Sequence, residues 1–88
     1  MAIYVVAYDL NQTGQNYARL IEALRQMPHC KPQKSLWFVD YAGTAAQLRS
    51  QLNVHLDGND TVFVDRVSTG WASYNMQNCA KWLNDRGL

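Results

Sequence analysis

The 88-residue sequence is short of several things, and each shortage narrows what the chain can be. It has no run of 18 apolar residues, so no segment reads as a membrane-spanning helix. It has little net charge: eight basic against seven acidic residues leave +1. That balance argues against a dedicated duplex-DNA binder, which carries a clear basic excess or stripe. Only two cysteines occur, Cys30 and Cys79, far apart and at no metal-ligand spacing. They read as free thiols of a cytoplasmic protein. The start of the chain runs directly into strand pattern, with no basic segment or cleavage site, so no signal peptide is expected. Neither an internal repeat nor a low-complexity tract is present.

What is present is an ordinary globular composition, 48% hydrophobic, with three Trp and five Tyr. So many aromatics in a short chain suggest that some line an interface or a ligand face. One domain of this length buries a modest fraction of its unfolded surface, for which dimerisation is a natural remedy.

The organising stretch is residues 3–8, an apolar run that stops on Asp9. Continuous rather than alternating apolar character predicts a strand covered on both faces, hence a central one. Asp9 then stands at its carboxyl end, where a sheet presents rigidly held residues at its rim. The alternative role for Asp9 is to cap the turn that follows. A polar loop, residues 10–15, leads to a helix over 16–27 with Tyr17, Leu20, Ile21, Leu24 and Met27 on one face. Thr13 is a candidate cap near its start, and Pro28 ends it. His29 and Cys30 adjoin but lack the further ligands a zinc site needs.

Residues 34–41 are rich in aromatic and β-branched types and read as strand. Leu36 and Phe38 fall on one face; Ser35, Trp37 and Val39 fall on the other. Residues 29–34 supply further strand before a bend. Thr44 and Gln47 have the spacing of a capping box, opening a helix through Leu48, Leu52 and Leu56. Asp57-Gly58-Asn59-Asp60 is a turn, 61–67 a strand, and 71–74 a short edge strand or irregular arm. Residues 75–86 form a terminal helix carrying Met76, Cys79, Ala80 and Leu83 on one stripe, closed by Gly87. This order fits an α+β, ferredoxin-like βαββαβ sandwich. The single domain, 1–88, has its core in 2–67 and adds a C-terminal arm and helix over 71–86.

The stretches Tyr4-Val5-Val6-Ala7-Tyr8-Asp9-Leu10 and Gly14-Gln15-Asn16-Tyr17, then Gln33-Lys34-Ser35-Leu36-Trp37, Asp60-Thr61-Val62-Phe63-Val64 and Trp82-Leu83, occur in an order that resembles a known family. It is the SinR-like branch of small CRISPR-associated-endonuclease-type proteins, related to VapD-type toxins. The resemblance implies a ferredoxin-like homodimer whose sheets face each other. It also implies that Asp9 from both subunits can hold a divalent metal, Mg²⁺, for phosphodiester cleavage. The sequence departs from the endonuclease relatives after Asp9: Asn11, Gln12, Thr13, Gly14, Gln15 and Asn16 replace a basic loop.

Two classes of function therefore compete with a third. The first is a dimer that binds nucleic acid or a small nucleotide without strong catalysis. Its candidate contacts are the amides Asn11, Gln12, Gln15 and Asn16, with Lys34, Ser35 and the aromatics Trp71 and Tyr74. Tyr8, Tyr17 and Trp37 belong to the same aromatic excess, although the periodic placement of Tyr17 and Trp37 assigns them to the core. The second is a Mg²⁺-dependent nuclease with Asp9 as catalytic and metal-binding residue. The third is a protein interaction module using the dimer surface and terminal helix. The neutral charge balance and the single acid favour the first.

Overall fold

The computed structural model describes residues 2–10 and 17–88. Chain order is β1 (Ala2–Asp9), α1 (Ala18–Arg25), β2 (His29–Gln33), β3 (Leu36–Tyr41), α2 (Ala45–Asn53), β4 (Thr61–Arg66) and α3 (Gln77–Asn84). The strands form one antiparallel sheet in the order β2-β3-β1-β4. The apolar run of β1 lies between β3 and β4, the interior position its lack of alternation implied. The bend expected within 29–41 separates β2 from β3, and the two pair as neighbours.

Alternation along β1 sorts two faces. Tyr4, Val6 and Tyr8 are buried with Trp37 and Val39 of β3, which lie opposite Val6 and Tyr4. Leu20 and Leu24 of α1 and Leu48 and Leu52 of α2 complete that core. Full burial of each such side chain contributes about 1.5–3 kcal/mol before entropy is counted. Trp37 is the largest fully buried residue, and its Nε1–H donates to the Tyr8 hydroxyl at 2.9 Å. That bond satisfies a polar group that burial would otherwise strand. Tyr8 is thus a core residue rather than a stacking platform.

The second face carries Ile3, Val5 and Ala7, with Phe38 and Cys30 alongside. Part of it is covered by α3. The expectation of free thiols fails here: Cys30 and Cys79 form a disulfide with a Cα–Cα separation of 5.7 Å. Forty-nine residues of sequence hid a spatial adjacency. Cys30 points to the second face from β2, and the chain returns over that face to begin α3. The separation falls inside the span a disulfide requires. Buried Leu83, four residues after Cys79, continues the same stripe, and Arg86 Nε approaches Asp40 Oδ2 at 3.7 Å. Arg86 also stacks on the Trp82 ring, 3.8 Å from its centroid.

Element ends follow local chemistry. Thr44 and Gln47 form the capping box in full, Gln47 N–H to Thr44 Oγ1 at 3.1 Å and Thr44 N–H to Gln47 Oε1 at 2.8 Å. Helix α1 starts at Ala18; the proposed cap Thr13 lies outside the described residues. Helix α3 starts at Gln77, later than its periodicity suggested, because Asn75 adopts φ 59°. Asn is among the few residues that accept this left-handed geometry. Residues 71–74 are irregular, the arm rather than a strand. No helix among the described residues is long and apolar enough to cross a membrane.

Candidate functional site

Strand register gathers three of the candidate residues at one end of the sheet. Asp9, the last residue of β1, lies opposite Thr61, the first of β4. On the other side of β1, Tyr8 N–H donates to Ser35 O at 3.0 Å. The Tyr8 hydroxyl donates to Lys34 O at 3.4 Å. The β2–β3 turn is therefore held against the end of β1, and the buried Trp37–Tyr8 pair anchors it from below. Asp9, Lys34 and Ser35 are all exposed. A carboxylate and, distant from it in sequence, the adjacent Lys34 ammonium and Ser35 hydroxyl share one rim.

The α2–β4 connection reaches the same rim. The Tyr17 hydroxyl donates to Asp60 Oδ1 at 2.8 Å, and Asp57 N–H donates to Asp60 Oδ2 at 2.8 Å. Tyr17, half-buried, thus ties the approach to α1 to the approach to β4. A shallow hollow of about 300 Å³ opens beside Asp9, lined by Ala7, Tyr8, Thr61, Val62 and Phe63. Thr61 and Phe63 were not singled out from the sequence. Their signal was parity: they alternate with Val62 and Val64, so they share the face of Ala7 and Asp9.

The other candidates divide. Asn11, Gln12, Gln15 and Asn16 lie outside the described residues. Trp71 and Tyr74 belong to the arm that follows β4. That strand ends at Arg66 opposite Tyr4, toward the other end of β1, and α3 begins beside β2. The register thus brings neither aromatic to Asp9. Trp71 is half-buried, whereas Tyr74 is 88% exposed.

The chemistry available at the rim is that of polar recognition. Among the described residues no three of His, Cys, Asp and Glu are grouped to hold a metal ion. A hard cation such as Mg²⁺ takes about six oxygen ligands. One copy of Asp9 does not build that site.

No protein-family model matches the chain, and no solved structure matches it.

Proposed function

We propose that the chain is a ferredoxin-like, dimer-forming protein that binds single-stranded nucleic acid or a nucleotide at the Asp9–Lys34 rim, without strong catalysis. The fold name is supported by the succession β1-α1-β2-β3-α2-β4 together with the strand order β2-β3-β1-β4. The observation that carries the binding reading is the convergence of Asp9 with the Lys34–Ser35 turn, brought about by Tyr8. Lys34 supplies a phosphate contact. Asp9 and Ser35 supply an acceptor and a hydroxyl suited to base edges or sugar. The amides Asn11, Gln12, Gln15 and Asn16 follow Asp9 closely in sequence and are the further candidate contacts, whereas Trp71 and Tyr74, on the arm away from Asp9, are not part of this rim.

The test is calorimetric and fluorescence titration with short single-stranded RNA and DNA and with mononucleotides. Lys34→Ala should weaken binding by about tenfold, near 1.4 kcal/mol, and reduce its salt dependence. Absence of any response from the wild-type chain across that panel removes the reading. The nuclease alternative, in which two copies of Asp9 share Mg²⁺, is tested on RNA and duplex DNA with wild type and Asp9→Ala. Cleavage that requires both Mg²⁺ and Asp9 establishes it and displaces the non-catalytic proposal. An interaction module using α3 is the third reading, and recovery of one defined protein partner through that helix supports it.

A further inference from the structure

We infer that the edge of β4 is the dimer interface, pairing antiparallel with β4 of a second copy about a twofold axis through Phe63. This rests on the dimer part of the reading above and leaves its ligand part untouched.

The two edges of the sheet are treated differently. Strand β2 carries Lys31 and Pro32, has a register irregularity between Cys30 and Gln33, and is tied to α3 by the disulfide. Each is a device that keeps a further strand away. Strand β4, with sequence TVFVDR, has neither Pro nor Lys and no bulge in its pairing with β1. Its Phe63 is 63% exposed.

Backbone geometry says which groups face outward. Val67 N–H donates to Ile3 O at 2.8 Å, so odd-numbered residues of this strand turn their polar groups to β1. Even-numbered residues, Val62, Val64 and Arg66, turn theirs away from the sheet. The Arg66 N–H accordingly meets the Asp65 carboxylate, at 2.9 Å, rather than β1.

An axis through Phe63 sets Val62 against Val64 of the second copy, and Val64 against its Val62. Both are outward-turned residues, so they exchange ladder hydrogen bonds. Phe63 then meets Phe63 of the second copy at a non-hydrogen-bonded position, where side chains approach closest. One step beyond the strand, Asp60 faces Arg66 of the second copy, an opposite-charge pair. Asp60 is already oriented by Tyr17 and Asp57, and Arg66 is exposed with no ion pair among the described residues. An axis through Val64 instead sets Phe63 against Asp65, and one through Asp65 sets two carboxylates together. Charge and apolar complementarity select Phe63.

Six residues of edge make an interface of the small, transient class, so the assay must span concentration. Sedimentation velocity of the intact, oxidised chain, from micromolar to millimolar, is compared with Phe63→Lys and Phe63→Glu. Phe63 is exposed, so circular dichroism of both variants should match wild type. Wild type should dimerise. Each variant alone sets like charges across the axis and should raise the dissociation constant at least tenfold. An equimolar mixture should recover the dimer, because Lys then faces Glu. A wild type that stays monomeric, variants that dimerise as wild type does, or a mixture that fails to recover each overturns the assignment. Phe63 also lines the hollow beside Asp9, so nucleotide titration uses Arg66→Glu instead. That substitution sets like charges against Asp60 of the second copy and lies opposite Tyr4, away from the hollow, so loss of the dimer and loss of binding are distinguishable.

Discussion

Cutting the Cys30–Cys79 bond should cost this small chain a large share of its stability. The bond closes a loop of 49 residues of sequence separation. Loop-closure entropy for that length is about 4 kcal/mol near room temperature. Set against it is a total of roughly 4–13 kcal/mol, taking about 0.05–0.15 kcal/mol for each of the 88 residues. Each kcal/mol moves the midpoint of a domain this size by about 4–8 °C, so reduction should lower it by about 15–30 °C. Thiol titration of the unfolded, unreduced chain should first find no free thiols, and two after reduction. Guanidinium melts then compare oxidised wild type, reduced wild type and Cys30→Ser. Cys30 is the better site to replace because it is half-buried, whereas Cys79 is only 4% exposed and packs in its own right. The loss should not be uniform. Helix α3 contributes Cys79 and Leu83, and neither belongs to the cluster around Trp37. Amide exchange in α3 should therefore accelerate more than in β1 and β3 once the bond is cut. A reduced protein within about 1 kcal/mol of the oxidised one, or two titratable thiols at the outset, refutes the tether.

Other substitutions test the remaining supports. Tyr8→Phe leaves the Trp37 Nε1–H without its acceptor and frees the Lys34 carbonyl. It should cost about 1–3 kcal/mol in a denaturant melt. Thr44→Ala dismantles the capping box of α2 and should cost about 1 kcal/mol by the same measurement. Gly43→Ala should destabilise through contact: its Cβ meets Tyr41 Cε2 at 2.6 Å and Gln47 Oε1 at 2.7 Å. The Gly43 carbonyl also accepts from the Tyr4 hydroxyl, and a lowered thermal midpoint is the expected readout. Lys81→Ala, by contrast, removes a solvent-exposed pair with Asp85 and should move stability by no more than about 0.5 kcal/mol.

Where one periodicity governs a segment, the sequence was readable. The unbroken apolar run from Ile3 to Tyr8 predicted an interior strand, and β1 is flanked on both sides. The i, i+3, i+4 stripe of α1 and the Thr44–Gln47 spacing behave as local rules require. What was hidden depends on tertiary return. Nothing in the spacing of Cys30 and Cys79 records that α3 folds back over β2. Nothing local marks Tyr8 as acceptor for Trp37, because the pair is made by register between β1 and β3. Asp9 was singled out by its position after a strand, a local signal. Its neighbours Lys34, Ser35 and Thr61 become neighbours only through sheet order. Phe63 fell within the apolar first part of a run that alternates later, and its exposure follows from its place on an edge strand, on the face opposite the Trp37 core.

The β4 pairing bears directly on how the rim can act. With the axis at Phe63, Asp9 of each copy lies on β1, one strand in and level with Thr61. Strand spacing and rise per residue then set the two Asp9 positions about 20 Å apart, on the same face of an eight-stranded sheet. Ligand oxygens sit about 2.0–2.6 Å from Mg²⁺ or Ca²⁺, so no single ion bridges that gap. The edge dimer and the shared-metal nuclease are mutually exclusive, and one assembly cannot serve both. What the edge dimer offers instead is two rims for one strand. An oligonucleotide long enough to reach both gains avidity, whereas a mononucleotide does not. Wild type should therefore prefer long oligonucleotides to short ones by more than the ratio of their site counts. Arg66→Glu, which sets like charges against Asp60 of the second copy and lies opposite Tyr4, away from the hollow beside Asp9, should lose that preference while keeping its affinity for mononucleotides. Equal length dependence in the two proteins separates binding from dimerisation and breaks the link between rim and edge.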